Sequence, residues 1–106
     1  MKLIISIINR DDAGAVQNAL TGAGYAITKL ATSGGFLRAG NTTFIIGVED
    51  ERIDACIKLI RDYSRKRTQL TPNYSGYEEE FITAPTEVTV GGATIFVTDI
   101  ERYEKL

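Results

Sequence analysis

The order of hydrophobic and polar residues in the first part of the chain predicts a strand followed by a helix. Residues 3–8 form a nearly continuous apolar run, which is typical of a strand covered on both faces. Apolar residues then recur at helical spacing. Asp11 or Asp12 is predicted to cap this helix, and Gly22 or Gly24 offers the left-handed residue that ends it. The apolar positions of the helix are Val16, Ala19, Leu20 and Ala23.

The same pattern predicts two more strands, a second helix and a final hairpin. Residues 25–31 and 42–48 are rich in β-branched and apolar side chains, as strands are. Asp50 is predicted to cap the second helix. Residues 87–90 and 93–98 suggest a hairpin with a two-residue Gly-Gly turn. The second helix has its apolar residues at i, i+3, i+4 and i+7, namely Ile53, Cys56, Ile57 and Ile60.

The order strand, helix, strand, strand, helix, strand predicts an α+β fold of the ferredoxin-like βαββαβ type. Two helices cover only one face of such a sheet. The other face would carry alternate residues of the stretch 4–8 and of the hairpin, and it would stay apolar, so a homo-oligomer is expected. Residues 64–85 break the periodicity and are predicted to form a loop of roughly 20 residues. Residues 99–106 are expected to form a charged tail, with a helical turn as one option.

Composition limits the classes of function. The 106 residues predict a single domain, residues 1–106, with 12 basic and 14 acidic side chains and a net charge of −2. Such a chain has no general field for nucleic acid or for an anionic membrane, so neither is expected as a partner. The single cysteine cannot form an internal disulfide, and no leader pattern is recognised at the start of the sequence, so a cytoplasmic location is expected.

Residue types also argue against an enzyme. The chain has no histidine, its only cysteine lies on the predicted buried face of a helix, and no serine has an evident base partner. The usual metal ligands are scarce. The run Glu78-Glu79-Glu80 is interpreted as keeping a loop in solution. No catalytic residue, metal or cofactor is therefore predicted.

The segment 32–41, between the second and third predicted strands, has the composition of a ligand-binding loop. It holds Gly34, Gly35 and Gly40 together with short hydroxyl side chains and one aromatic residue, Phe36. Glycines let the backbone approach a ligand closely, and stacking of a base on an aromatic ring contributes about 1–3 kcal/mol. In isolation such glycines would be read as ordinary turn residues. The combination favours a flat, anionic ligand such as a nucleotide.

Three stretches of the sequence are similar to a known family. TKLATSGGFLRAGNTTF, residues 28–44, resembles the core motif of the PII-like cyclic di-AMP receptor proteins of Gram-positive bacteria, and MKLIISII and VTVGGATIFV resemble that family in the same order. The resemblance implies a PII-like homotrimer with three nucleotide sites in the clefts between subunits. It further implies a non-enzymatic signal-transduction protein that binds cyclic di-AMP and relays this through loop rearrangement to a target protein, which the sequence does not identify.

The resemblance also implies a ligand-binding set. Two departures weaken it: the family's asparagine and arginine are replaced by Gly24 and Ala26, and losing one charged hydrogen bond costs on the order of 1.5–3 kcal/mol. Lys105 replaces a family glutamine and offers a compensating phosphate contact. Arg38, judged by itself, is interpreted as a solvated cation. The implied ligand-binding residues are Thr28, Gly35, Phe36, Leu37, Asn41, Gly47 and Phe96, of which Phe96 by itself would be assigned to the core.

Two alternative functions remain open at this point. One is a PII-like trimer that binds another adenine nucleotide, ATP or AMP. The other is an interaction scaffold that binds no small ligand.

Overall fold

The structure is a computed structural model that describes residues 1–30, 40–74 and 82–106, without the side chains of residues 69–74, 82–88 and 90. A single 3-10 turn, Asp50–Arg52, precedes the second helix. Along the chain the elements are β1 (Lys2–Asn9), α1 (Arg10–Gly22), β2 (Ile27–Leu30), β3 (Asn41–Val48), α2 (Ile53–Tyr63), β4 (Arg67–Tyr74), β5 (Ile82–Val90) and β6 (Ala93–Asp99).

Four of these strands form one antiparallel sheet in the order β2-β3-β1-β6. β1 lies in the middle and pairs with both β3 and β6, while β2 pairs with β3 at one edge. This arrangement of four antiparallel strands and two helices is compatible with the predicted ferredoxin-like fold. The α+β class expected from the pattern is therefore confirmed.

The core lies between one face of this sheet and the two helices. Ile4, Ser6 and Ile8 of β1 are fully buried, and the register places Ile4 beside Ile46 and Ser6 beside Phe44 on the same face. Side chains from both helices pack against them. The core residues that the helices contribute are Ala13, Val16 and Leu20 from α1 and Cys56 and Ile60 from α2.

The opposite face of the sheet is covered less completely by the described residues. Leu3, Ile5 and Ile7, the alternate positions of β1, are only half-buried. Phe96 of β6, which lies opposite Ile5 of β1, is 48% exposed. Because residues directly opposite each other in neighbouring strands share a face, these side chains form one apolar surface. The uncovered face predicted from the sequence is therefore present.

The predicted loop 64–85 is wrong for most of its length. β4 and β5 pair as an antiparallel ribbon from Arg67 opposite Val90 to Tyr74 opposite Ile82, with a register shift between Thr71 and Asn73. This ribbon forms a separate two-stranded sheet. The residues of β4 show no alternation of apolar and polar side chains, which is the signal of a half-buried strand. Of β5, only residues 87–90 were predicted as a strand.

The predicted hairpin across the Gly-Gly pair is also wrong. The strand before the pair, β5, hydrogen-bonds to β4, and the strand after it, β6, hydrogen-bonds to β1. Gly91 and Gly92 have φ values of +85° and +82° and connect the two sheets. Positive φ at two successive residues suits a tight hairpin turn, but it does not require one.

The helix ends differ from prediction in detail. Asn9, and not Asp11 or Asp12, caps α1, because its side-chain oxygen accepts a hydrogen bond from the Asp11 backbone N–H at 2.8 Å. Gly24, at φ +88°, supplies the predicted left-handed residue just beyond the helix. α2 begins at Ile53, after the 3-10 turn, so Asp50 does not cap it directly. The tail after β6 contains no helical turn.

Contacts at the base of the β4–β5 ribbon join it to the sheet and helices. The Arg67 guanidinium binds the nearly buried Asp12 carboxylate of α1 with two hydrogen bonds, at 2.8 and 3.2 Å. Such two-pronged pairing fixes direction as well as distance. The Gly92 N–H donates to the carbonyl oxygen of Ser64. A methyl group on Gly91 would lie 2.5 Å from the Arg65 carbonyl oxygen, so only glycine fits at this position.

Two buried serines provide a test of the core. The Ser6 hydroxyl has no hydrogen-bond partner among the described residues, whereas the Ser64 hydroxyl donates to the Ile60 carbonyl oxygen. Because an unpaired buried hydroxyl loses its hydration without return, Ser6→Ala should raise the free energy of unfolding by about 1 kcal/mol. The matched Ser64→Ala should lower it by roughly the same amount. Urea unfolding followed by circular dichroism measures both, and equal destabilisation by the two changes would contradict the assignment.

Candidate functional site

Four of the seven predicted ligand-binding residues lie within the described part of the chain: Thr28, Asn41, Gly47 and Phe96. The other three, Gly35, Phe36 and Leu37, lie outside it, as do Arg38 and most of the glycine loop. The site can therefore be built from the four strand residues and their surroundings.

All four strand residues lie on the sheet face that the helices leave uncovered. One row runs straight across the sheet, from Thr28 through Ile45 and Ile5 to Phe96. Gly47 lies two residues beyond Ile45 on β3, so it shares that face by the two-residue period of a strand. Asn41 is an even number of residues away from Gly47 on the same strand, so its side chain lies on that face too. The alternation of the strands thus explains why these distant positions face one side.

Thr28 and Gly47 line a common groove at one end of this face. Its volume is about 310 Å³. Ala26, at the position where the resemblance implies an arginine, is one of its walls, and its small side chain leaves space there. The described residues that line the groove include no lysine or arginine. Besides Thr28, Gly47 and Ala26 it is lined by Met1, Leu3, Ile27, Ile45, Ile100 and Tyr103.

Gly47 keeps the floor of this groove open. The register of β1 and β3 continues past it from Leu3 opposite Gly47 to Lys2 opposite Val48, so no bulge is present. A methyl group at Gly47 would meet only the terminal carbon of Met1, at 3.7 Å, which is ordinary contact. The backbone therefore accepts a side chain here. Because glycine has no side chain, it leaves this part of the groove free for a ligand.

Asn41 lies at the other end of the same face, in a second cavity of about 290 Å³. Asn41 and Gly47 are six residue steps apart along the strand, which corresponds to roughly 20 Å. This cavity is polar and includes a cation, Lys66. Its lining residues are Ile7, Asn9, Asn41, Lys66, Thr89, Gly91, Gly92, Ala93 and Thr94.

Phe96 and Thr28 lie at opposite edges of the sheet. Three strand spacings separate them, which amounts to roughly 14 Å. The ring of Phe96 is half exposed on the uncovered face, so its assignment to the core of the single chain is wrong. The hydrophobic pattern of β6 did not reveal this, because both faces of that strand carry apolar residues. One chain therefore presents the predicted residues on one surface without gathering them into one pocket.

An arginine that sequence reasoning missed lies beside the position of the absent family asparagine. The Arg52 guanidinium stacks on the Tyr25 ring, 4.0 Å from its centre, and donates to the Ala23 carbonyl oxygen at 2.8 Å. One of its nitrogens lies 3.9 Å from where a side chain on Gly24 would begin. Arg52 thereby holds the turn that leads into β2. Arg52 and Tyr25 are 27 residues apart in the sequence, so no local pattern indicated that they would be in contact.

The remaining chemistry of the described residues gives no nucleophile. Cys56 is fully buried between the helices and the sheet, and burial raises the pKa of its thiol to about 11 despite an opposing effect of Arg52. The thiol therefore stays protonated near neutral pH, and a protonated thiol is a poor nucleophile. Lys105 lies on the exposed tail and lines neither cavity. Of the helices that the structure describes, neither has the length and apolar character to cross a membrane.

Comparison with known proteins gives two findings. The family model described as "Cyclic-di-AMP receptor" matches residues 1–106, the whole chain. Among solved structures, the chain is similar to the crystal structure of a functionally unknown protein from Pediococcus pentosaceus ATCC 25745, with 35% sequence identity and a TM-score of 0.76. That match covers 99% of this chain and 96% of the other.

Proposed function

The chain belongs to the cyclic-di-AMP receptor family, and from this premise we propose that it binds cyclic di-AMP between neighbouring copies of itself and acts as a non-enzymatic signalling protein. The observation that carries the proposal is the match of the family over all 106 residues. The shared sheet face of Thr28, Asn41, Gly47 and Phe96 supports it from the geometry.

The separation of the site residues favours binding between copies. The groove at Thr28 and Gly47 has a volume of about 310 Å³, at the lower end of the range for ligand pockets. A second copy that packs its own uncovered face nearby would close this groove and bring residues such as Phe36 or Phe96 to it. A homotrimer, the assembly implied by the resemblance, gives three such seams.

The two cavities suit different parts of a cyclic dinucleotide. The groove at Gly47 is lined mostly by apolar side chains and fits a flat adenine. The cavity at Asn41 holds amide and hydroxyl groups and the Lys66 ammonium, which suit a phosphate. In the proposed assembly the adenine end meets one copy and the phosphate end meets the next. The two missing family side chains at Gly24 and Ala26 are expected to lower the affinity without removing the site.

In this proposal the protein acts by changing shape and not by catalysis. A ligand shifts a conformational equilibrium only by its differential affinity for the two states. Cyclic di-AMP held at a seam contacts loops from two copies and would favour one arrangement of them. The cytoplasm, where nucleotide signals act, is the proposed location, and a target protein reads the altered surface.

Calorimetric titration tests the ligand. Cyclic di-AMP should bind saturably, and Phe36→Ala should weaken binding at least fivefold, since base stacking contributes about 1–3 kcal/mol. ATP and AMP serve as comparison ligands in the same experiment. Tighter binding of ATP or AMP than of cyclic di-AMP would favour the alternative adenine-nucleotide receptor. If none of the three nucleotides gives a heat of binding, the remaining alternative is the interaction scaffold that binds no small ligand.

Filling the groove at Gly47 tests its location. Gly47→Val should leave the fold intact, because the backbone there has no positive φ and a Cβ at this position would meet only the flexible Met1 side chain. Cyclic di-AMP affinity should fall at least tenfold as the groove loses volume. Gly14→Ala, an exposed change on α1 with nothing within 4 Å, is the control and should bind normally. Unchanged affinity in Gly47→Val would place the adenine elsewhere.

Sedimentation velocity tests the assembly. The unmodified protein should sediment as three chains, and Phe96→Glu should shift it towards the single chain, because a carboxylate buried in an apolar seam costs several kcal/mol. Gln17→Glu adds the same charge on the exposed side of α1 and should not change the assembly. A lone chain for the unmodified protein, or equal behaviour of the two variants, would contradict the proposed seam.

A further inference from the structure

A second groove lies on the helix side of the sheet, between α2 and β6. Its volume is about 470 Å³, which is larger than either cavity on the uncovered face. We call this feature the basic groove. Its lining residues are Ile57, Arg61, Ser64, Arg65, Lys66, Gly92, Ala93 and Ile95.

The floor of the basic groove is apolar. Ile57 of α2 and Ile95 of β6 are only partly buried, although both belong to the layer that packs on the core. Ile95 pairs with Ser6, whose side chain points towards the helices, so Ile95 faces the groove and not the ligand face. Val97, two residues further along β6, is 43% exposed on the same side. The groove therefore continues as an apolar strip along the strand.

The rim of the basic groove carries three cations and no carboxylate. Arg61, Arg65 and Lys66 all line it, and none of them forms an ion pair with an acidic side chain in the part of the chain that the structure describes. Asp62 lies next to Arg61 in sequence, but its carboxylate binds the Lys58 ammonium at 2.8 Å, and this hydrogen bond lowers the pKa of Asp62. Arg61 and Arg65 also lower the pKa of Asp62, so this carboxylate lies near the rim. It is shared with Lys58 and cannot balance all three cations, so the rim keeps an excess of positive charge.

One wall of the basic groove is an edge strand. β6 is the last strand of the sheet and pairs only with β1 among the described strands. The outer edge of such a strand offers backbone N–H and C=O groups to another extended chain. Peptides that add to a sheet edge place alternate side chains in neighbouring pockets, and this alternation selects the sequence that binds.

We propose that the basic groove binds an acidic, extended segment of a target protein, which adds to the β6 edge. Its aliphatic side chains enter the floor at Ile57 and Ile95, and its carboxylates meet Arg61, Arg65 and Lys66. Charge complementarity selects this occupant, because a basic partner would be repelled and a neutral apolar one would leave three cations unpaired. This inference rests on the proposed function in one respect: it identifies the protein that carries the acidic segment as the target of the nucleotide signal.

Lys66 determines which residues can be changed in a test. It lines both the basic groove and the cavity that contains Asn41. Substituting it would disturb the proposed nucleotide site as well. Arg61 lines only the basic groove, so its substitution separates target binding from nucleotide binding.

The test is fluorescence anisotropy with a labelled seven-residue peptide of alternating glutamate and isoleucine. The unmodified protein should bind it saturably, and Arg61→Glu should weaken binding at least fivefold. Arg102→Glu makes the same charge change at an exposed arginine on the tail and should bind as the unmodified protein does. Arg61→Gln replaces Arg61→Glu if circular dichroism shows that the latter does not fold. Calorimetry with cyclic di-AMP on each variant should give unchanged nucleotide affinity.

Several results would overturn the proposal. A peptide with serine in place of isoleucine that binds equally well would reduce the groove to a general basic patch. Equal weakening by Arg61→Glu and Arg102→Glu would show the effect of net charge alone. A change in the sedimenting species on Arg61→Glu would show that a second copy of this chain occupies the groove. Failure of nucleotide binding with peptide binding intact would instead reject only the proposed function.

Discussion

The structure depends on the mismatch between a four-stranded sheet with two faces and two helices that can cover only one of them. The helices bury Ile4, Ser6 and Ile8 of the central strand, while Leu3, Ile5 and Ile7 remain half-buried. Full burial of one large apolar side chain contributes about 1.5–3 kcal/mol. Much of that energy is still available on the uncovered face. This exposed apolar area is the physical basis for the proposal that ligand and neighbouring copies bind on that face.

The geometry of the strands explains why the candidate site residues share one face and why they do not form one pocket within a single chain. It places Thr28, Asn41, Gly47 and Phe96 on one face, because each lies at a position of the same parity in the register. The same strands hold them apart, by roughly 20 Å along β3 and roughly 14 Å across the sheet. No rotation of side chains closes such distances. These distances are the reason for proposing that a second copy of the chain completes the pocket.

The sequence predicted the elements whose side chains pack on the core, but of the β4–β5 ribbon outside it only residues 87–90 were predicted as a strand, and with the wrong partner. β1, β3 and both helices have periodic apolar residues, and their places in the chain were predicted correctly. β4 lacks such a pattern, and its threonines, which favour strands, were the only sign there, whereas β5 showed alternation only in residues 87–90. For the site, resemblance supplied the residues, and the strand register of the structure showed their common face. Arg52 and Lys66 were missed because folding brings them to the Tyr25 ring and to the cavity at Asn41 from distant parts of the chain.

The pair Gly91-Gly92 is where the ribbon, the cavity at Asn41 and the basic groove meet. A side chain on Gly91 would collide with the Arg65 carbonyl oxygen, and one on Gly92 would lie 2.9 Å from the Lys66 stem, so Lys66 packs across this connection. Its ammonium can pair with an anion in one cavity or in the other. If a phosphate binds beside Asn41 and an acidic segment binds in the basic groove, the two compete for the same charge. By reciprocity, each then lowers the affinity of the other by an equal factor, which gives a receptor of this shape a direct physical route from nucleotide to target.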